Sequence, residues 1–83
     1  MTIKKESIEE LTTQEKDIMK IMMELDQLNM HNISLVHRQI KRNGTATERE
    51  TNNILKTLCA LNRISTYKDK FMILKPLASE EMK

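Results

Sequence analysis

The sequence predicts a mainly α-helical domain that ends in a β-hairpin. Three segments carry apolar residues at helical spacing, and residues typical of helix caps border each of them. After Arg63 the apolar period shortens from about 3.6 to about 2 residues, as expected for strands. Gly and Pro occur once each in 83 residues, so a collagen-like or turn-dense all-β chain is excluded. A chain of this length supports a single core.

The first helix has a clear start. Thr12 and Glu15 match a capping box, in which a hydroxyl and a carboxylate satisfy backbone N–H groups reciprocally. From Ile18 to Leu28 apolar residues recur at helical spacing, which predicts an amphipathic helix over about residues 13–29. Residues 1–11 are predicted to form an N-terminal arm or a short helix.

A short second helix follows a polar loop. Ile33 is expected in a short extended piece, and Ser34 is the predicted N-cap. Val36 and Ile40 are expected to face the core. Gly44 supplies the left-handed residue that commonly ends a helix.

The third helix begins at a second capping box, formed by Thr47 and Glu50. Its apolar stripe predicts a helix as far as about Leu61. Asn62 is well placed as the left-handed residue after that helix.

The remaining chain predicts a hairpin and a tail. Ile64–Tyr67 and Phe71–Leu74 are rich in β-branched and aromatic residues, and they flank a polar turn at Lys68–Lys70. Pro76 is expected to end the second strand because it has no N–H to donate. The domain is therefore predicted over residues 12–75, with a flexible tail at 76–83.

Several function classes are excluded or disfavoured. A lone Cys59 excludes a disulfide framework and a Cys-based zinc site, and two aromatic residues disfavour a stacking platform for single strands. The spacing of His31 and His37 fits neither metal ligands nor a catalytic pair, so both are expected to be ordinary surface residues. We predict no enzyme activity, catalytic residue, metal, cofactor or small-molecule ligand. No apolar run reaches transmembrane length, so the expected location is cytoplasmic, or nuclear in a eukaryote.

Charge is distributed unevenly along the chain. Residues 1–33 carry four Lys against seven acids, whereas residues 34–75 carry nine Lys and Arg against three acids. The basic part is where a polyanion would bind.

The order of elements resembles the winged helix-turn-helix family of DNA-binding domains over about residues 12–75. The matching segments are a helix at Ser34–Asn43, a turn at Gly44–Thr47, a helix at Glu48–Leu61 and a hairpin at Ile64–Leu74. Residues 54–64 are similar to the family's leucine-rich third helix running into its first wing strand, although many members have Gly at the position of Asn62. The resemblance extends to small prokaryotic, archaeal and viral regulators in general. It implies a regulator of transcription that binds double-stranded DNA and excludes polymerase.

The third helix has a polar face opposite its apolar stripe. Arg is the preferred partner of guanine and Asn of adenine in the major groove, and the family contacts bases mainly from the N-terminal part of this helix. An ordinary solvated face is the alternative, but two adjacent Asn residues are poor helix formers. The predicted base contacts are Thr45, Thr47, Arg49, Asn52, Asn53 and Lys56.

Other polar residues are expected to contact the DNA backbone. The resemblance implies that the second helix crosses the phosphates and that the wing lies on the flanking DNA. Glu48 and Glu50 lie near the same surface and oppose this interpretation. The predicted backbone contacts are Ser34, Arg38, Lys41, Arg42, Arg63, Lys68 and Lys70.

The first helix has more apolar residues than one core face needs. A second arc of Met residues would be exposed unless the N-terminal segment covers it. We predict instead a homodimer whose interface contains Met19, Met23, Met30, Ile3 and Ile8.

A function of a different class is also compatible with this pattern. A winged helix can serve as a protein-interaction module in a larger assembly. The basic middle region favours DNA, whereas Glu48, Glu50 and the Met stripe favour a protein partner.

Overall fold

A computed structural model describes residues 11–82. Three helices come first: α1 at Thr13–Gln27, α2 at Ile33–Asn43 and α3 at Glu48–Ala60. An antiparallel hairpin follows, with β1 at Ile64–Tyr67 and β2 at Lys70–Ile73, and a 3₁₀ helix lies at Ser79–Met82. The mainly helical fold with a hairpin after the third helix is therefore confirmed.

Both predicted capping boxes are present. At α1 the Glu15 N–H donates to Thr12 Oγ1 at 3.1 Å, and the Thr12 N–H donates to Glu15 Oε1 at 2.9 Å. At α3 the Glu50 N–H donates to Thr47 Oγ1 at 3.1 Å, and the Thr47 N–H donates to Glu50 Oε1 at 3.0 Å. These bonds satisfy N–H groups that have no acceptor within the helix.

Left-handed residues follow the helices. Gly44 has φ 67° and Asn62 has φ 61°, as predicted for residues that end a helix. Asn29 adopts φ 59°, and α1 ends at Gln27, two residues before the predicted end. The loop between α1 and α2 therefore begins earlier than apolar spacing alone indicates.

The start of α2 differs from the prediction. Ser34 is not the N-cap, because the helix begins at Ile33 and Asn32 precedes it without a side-chain capping bond. Asn32 instead forms an isolated antiparallel bridge with Lys70. The Ile33 N–H donates to the Asp69 carbonyl at 2.7 Å, and the Phe71 N–H donates to the His31 carbonyl at 2.9 Å. Pairing with β2 therefore fixes the backbone just before α2.

The hairpin has a two-residue turn. Ile64 pairs with Ile73 at one end and Tyr67 pairs with Lys70 at the other, so β2 begins one residue earlier than predicted. Lys68 in the turn has φ 57°. With Asn32 on its far side, β2 lies between β1 and the segment that leads into α2.

One apolar cluster forms the core. It contains residues from the three α-helices, from both strands and from the segment after Pro76. This last segment was predicted to be a flexible tail. That segment packs on the domain because Leu77 is buried and Glu81 pairs with Arg63. The buried members are Leu11, Ile18, Met19, Ile21, Met22, Leu25, Val36, Ile40, Ile54, Leu55, Leu58, Ile64, Phe71 and Leu77.

The prediction that Met19 lies in a dimer interface is wrong. This side chain is completely buried within a single chain, because α1 packs against β2 as well as against α2 and α3. Met23 is half-buried, whereas Met30 is 43% exposed. Ile3 and Ile8 lie outside the described residues.

Candidate nucleic-acid interface

The polar face of α3 is exposed along its length. Arg49, Asn52, Asn53 and Lys56 all face solvent. The opposite face of α3 is buried, and it carries the apolar stripe, which includes the side chains of Thr51, Ile54, Leu55 and Leu58. Packing of that stripe against the other elements therefore presents guanidinium, amide and ammonium donors on one surface.

The N-terminal end of α3 is joined to α1 by side-chain hydrogen bonds. Gln14 Nε2 donates to the Thr45 carbonyl at 3.0 Å and lies 3.3 Å from Glu50 Oε1. The Thr51 hydroxyl donates to the Thr47 carbonyl at 2.8 Å. The orientation of the first turn of α3 is thus fixed by side-chain bonds, and the hydroxyl of Thr47 is used in the cap. Sequence analysis missed Gln14, because nothing local marks a partner 31 residues away.

The two acids near this surface differ in their surroundings. The hydrogen bond from the Thr47 N–H to the Glu50 carboxylate lowers the pKa of Glu50 below its ordinary value. Glu50 lies in the first turn of α3, so its charge is at the positive end of the α3 dipole. Glu48 is exposed in the same turn.

A groove runs along each side of the polar face of α3. The groove toward α2 has a volume of about 540 Å³, and its lining includes Ser34, His37, Arg38, Lys41, Thr47 and Glu48. The groove toward the hairpin has a volume of about 410 Å³, and its lining includes Ile33, Asn52, Lys56, Cys59, Thr66 and Lys68. The fold therefore brings predicted backbone contacts from α2 and from the turn of the hairpin to both sides of the predicted base contacts.

Seven cations lie on α2, α3 and the hairpin. All are exposed, and none forms an ion pair within residues 11–82. Lys68 makes a different contact, with Nζ 5.4 Å from the centre of the Tyr67 ring. The set comprises Arg38, Lys41, Arg42, Arg49, Lys56, Lys68 and Lys70.

The structure does not place Arg63 at the surface. Its side chain is 4% exposed, and its two terminal nitrogens donate to the two Glu81 carboxylate oxygens at 3.1 and 2.7 Å. The predicted backbone contact at Arg63 is therefore wrong, because this side chain points into the domain. Hydrogen bonds from Arg63 and then from the Ala78 N–H lower the pKa of Glu81 to about 2.

Asp69 was not predicted and links the hairpin to α2. The Ser34 hydroxyl donates to Asp69 Oδ2 at 3.2 Å, and Asn32 Nδ2 lies 3.5 Å from the same oxygen. A carboxylate beside the first turn of α2 is favoured by the helix dipole. The Ser34 hydroxyl proton is thus engaged within the protein rather than directed toward solvent.

His31 and Cys59 have local partners. His31 is half-buried rather than an ordinary surface residue, with Nε2 2.6 Å from Asp26 Oδ1 and its ring edge-on to Phe71. Cys59 is half-buried, with Sγ 3.8 Å from the Thr66 hydroxyl.

Within residues 11–82, no three His, Cys, Asp or Glu side chains form a group that could hold a metal ion. No helix in this part of the chain combines the length and the apolar character needed to cross a membrane. Comparisons of the chain with protein-family models, curated proteins and solved structures found no match in any of the three.

Proposed function

We propose that this chain is a winged helix-turn-helix domain that binds double-stranded DNA and regulates transcription by occupying it. In this proposal α3 enters the major groove, α2 crosses the phosphates and the hairpin is the wing. The observation that supports it most strongly is the set of seven exposed cations on α2, α3 and the hairpin, none of which forms an ion pair with a carboxylate of residues 11–82. Cations that are not neutralised within the protein are free to replace the counterions of DNA phosphates.

The chemistry of the α3 face supports base contacts. A guanidinium at Arg49 can pair with guanine, and the amides of Asn52 and Asn53 can pair with adenine. All three side chains are exposed on one face. Their backbone is held by the capping box and by Gln14, and a fixed helix end favours the defined geometry that base contacts require.

The nearby acids oppose DNA binding less than their number implies. Glu50 directs its carboxylate to the Thr47 N–H, and Asp69 accepts from the Ser34 hydroxyl. Both charges lie beside helix N-termini, where the partial positive charge of the backbone offsets them. Glu48 is a third exposed acid, and it also lies in the first turn of α3.

The first test is fluorescence anisotropy on a labelled random duplex between about 50 and 200 mM salt. With roughly four to six phosphate contacts, log K should fall against log salt with a slope of about −4 to −5. Lys41→Ala, at a predicted backbone contact on α2, should reduce the magnitude of that slope by about 1. Lys20→Ala is the matched control, because Lys20 is equally exposed but lies on α1; its slope should equal that of the wild type.

Absence of binding at low salt would contradict the proposal and favour the protein-interaction module. Equal slopes for Lys41→Ala, Lys20→Ala and wild type would show that any binding does not involve this predicted backbone contact on α2.

A second test separates base contacts from phosphate contacts. On a site selected from a random pool, Arg49→Ala and Asn53→Ala should each lose about 1–3 kcal/mol of discrimination between that site and random DNA. Lys68→Ala should weaken binding to both duplexes equally. Equal losses for all three variants on both duplexes would overturn the assignment of α3 to base contacts.

A further inference from the structure

The hairpin has one buried face and one exposed face. Phe71 and Ile64 point toward the core, and Thr66 shares their face through its pairing with Phe71. Ser65 pairs with Met72, and Tyr67 pairs with Lys70, on the other face. Because strand side chains alternate, Leu74 is expected on the same side as Met72.

Large apolar side chains are concentrated on this outer face and beside it. Tyr67 is 73% exposed, Met72 60% and Leu74 51%. In the loop before α2, Leu28 is 66% and Met30 43% exposed. Asn32 pairs with Lys70, and extending that register by two residues places Met30 across from Met72. We call these five side chains the apolar patch.

The area of the patch is compatible with a specific interface. At about 200 Å² per large side chain, with roughly half exposed, the five contribute on the order of 500 Å² per chain. This is near the upper end of the largest apolar patches on monomeric proteins, about 300–600 Å². Two such patches brought together bury about 1,000 Å², which is the area at which specific interfaces begin.

We propose that the apolar patch binds the same patch of a second copy of this chain, forming a two-fold symmetric dimer. Such an interface brings one surface against itself, so it requires a patch without a dominant charge. All five side chains are uncharged, and the two methionines are flexible enough to pack against their own copies. Two ammonium groups border the patch at the end near the tip of the hairpin, since Lys70 lies opposite Tyr67 and Lys68 Nζ lies 5.4 Å from the centre of the Tyr67 ring. A two-fold axis near Met72 places these groups of the two chains at opposite ends of the interface.

This interface leaves the proposed DNA surface open except at Lys70, which lies on the outer face opposite Tyr67. Thr66 and Lys68 line the groove that faces α3, whereas Tyr67 and Met72 lie on the outer face of the hairpin. The dimer therefore does not depend on the proposed function, and it is tested without DNA.

The test is sedimentation equilibrium of the full-length protein across the micromolar range. The wild type should be a dimer in concentration-dependent equilibrium with monomer. Met72→Glu should raise the dissociation constant at least about 30-fold, the effect of losing one hot-spot side chain. Ala60→Glu, which introduces the same charge at an exposed position on α3, should leave the constant unchanged, and circular dichroism checks that each variant folds.

Cross-linking provides a second measurement that does not introduce charge into the patch. In a Cys59→Ser background, Met72→Cys should form a covalent dimer under mild oxidation, whereas Ala60→Cys should not. A wild type that stays monomeric throughout the concentration range would overturn the proposal. So would a dimer that persists in Met72→Glu, since its interface would then lie elsewhere.

Discussion

Within residues 11–82, Arg63 and Glu81 form a buried ion pair that holds the C-terminal segment on the domain. The Arg63 side chain is 4% exposed and that of Glu81 is 25% exposed. A cation this buried requires a partner, because removing one member of a buried pair leaves an uncompensated charge. The pair therefore explains why residues after Pro76 pack on the domain.

Replacing Glu81 with Gln should strongly destabilise the fold. Arg63 would keep its burial but lose the opposite charge, so we expect the free energy of unfolding to fall by about 3 kcal/mol. Urea denaturation measures this quantity. Glu80→Gln is the matched control at an exposed neighbour, where the change should stay within about 0.5 kcal/mol. Equal stabilities of the two variants would contradict the role of the pair.

The same carboxylate should make stability depend on pH in the acid range. The pKa of Glu81 is lowered from 4.5 to about 2 in the folded chain, so ionised Glu81 favours folding. This stabilisation is complete above the unfolded pKa and is lost as pH falls from about 4.5 toward 2. The difference in unfolding free energy between wild type and Glu81→Gln should therefore be smaller at about pH 3 than at about pH 7. A difference that is independent of pH would show that Glu81 is not ionised in the native pair.

At the scale of elements, the hairpin is joined to α2 by backbone and side-chain bonds. The Asp69 carbonyl accepts from the Ile33 N–H, and its carboxylate accepts from the Ser34 hydroxyl. Two elements that are proposed to contact DNA are thereby held in one orientation. The Asp69 carboxylate is also a negative charge between Lys68 and Lys70 in the sequence.

Asp69→Ala should therefore have opposite effects on stability and on DNA binding. Loss of the side-chain bonds should lower the free energy of unfolding by about 1 kcal/mol, and the Ile33 and Phe71 amides should exchange faster with solvent. Removing the negative charge beside Lys68 and Lys70 should strengthen binding to random duplex at low salt.

Ser34→Ala is the control for Asp69→Ala, because it removes one hydrogen bond without changing any charge. It should lower stability without strengthening DNA binding. A fall in affinity for Asp69→Ala would indicate that the orientation of the hairpin matters more than its charge.

At the scale of the whole molecule, one core within residues 11–82 joins the three α-helices and both strands. Leu77 belongs to this core although it follows Pro76. A small domain has a total stability of only about 5–15 kcal/mol, so losing one buried leucine and one buried ion pair removes a large share of it.

Deletion of residues 77–83 should therefore abolish cooperative unfolding. Loss of the Leu77 side chain costs about 2–5 kcal/mol, and Arg63 would lose Glu81 at the same time. Thermal unfolding followed by circular dichroism measures the effect, and deletion of Lys83 alone is the control. A truncated chain with an unchanged melting temperature would show that the segment contributes nothing to the fold.

Local features were predictable wherever their causes are local. The capping boxes at Thr12 and Thr47 depend on two side chains three residues apart, and both formed as predicted. The left-handed residues at Gly44 and Asn62 depend on side-chain sterics alone. The exposed α3 face at Arg49 and its neighbours follows from the apolar stripe on the opposite side.

Three helices, the capping boxes of α1 and α3, the hairpin and the polar face of α3 were therefore predictable from the sequence, because spacing and side-chain type within one element set these features. Four other features depend on tertiary contacts. Met19 is buried, and Arg63 turns inward to Glu81. Gln14 forms a hydrogen bond at the start of α3, and Asp69 forms one that joins the hairpin to α2. Each of these depends on a partner or a packing surface from a distant part of the chain. Spacing within an element does not encode such distant contacts, because packing of the whole core brings the partners together.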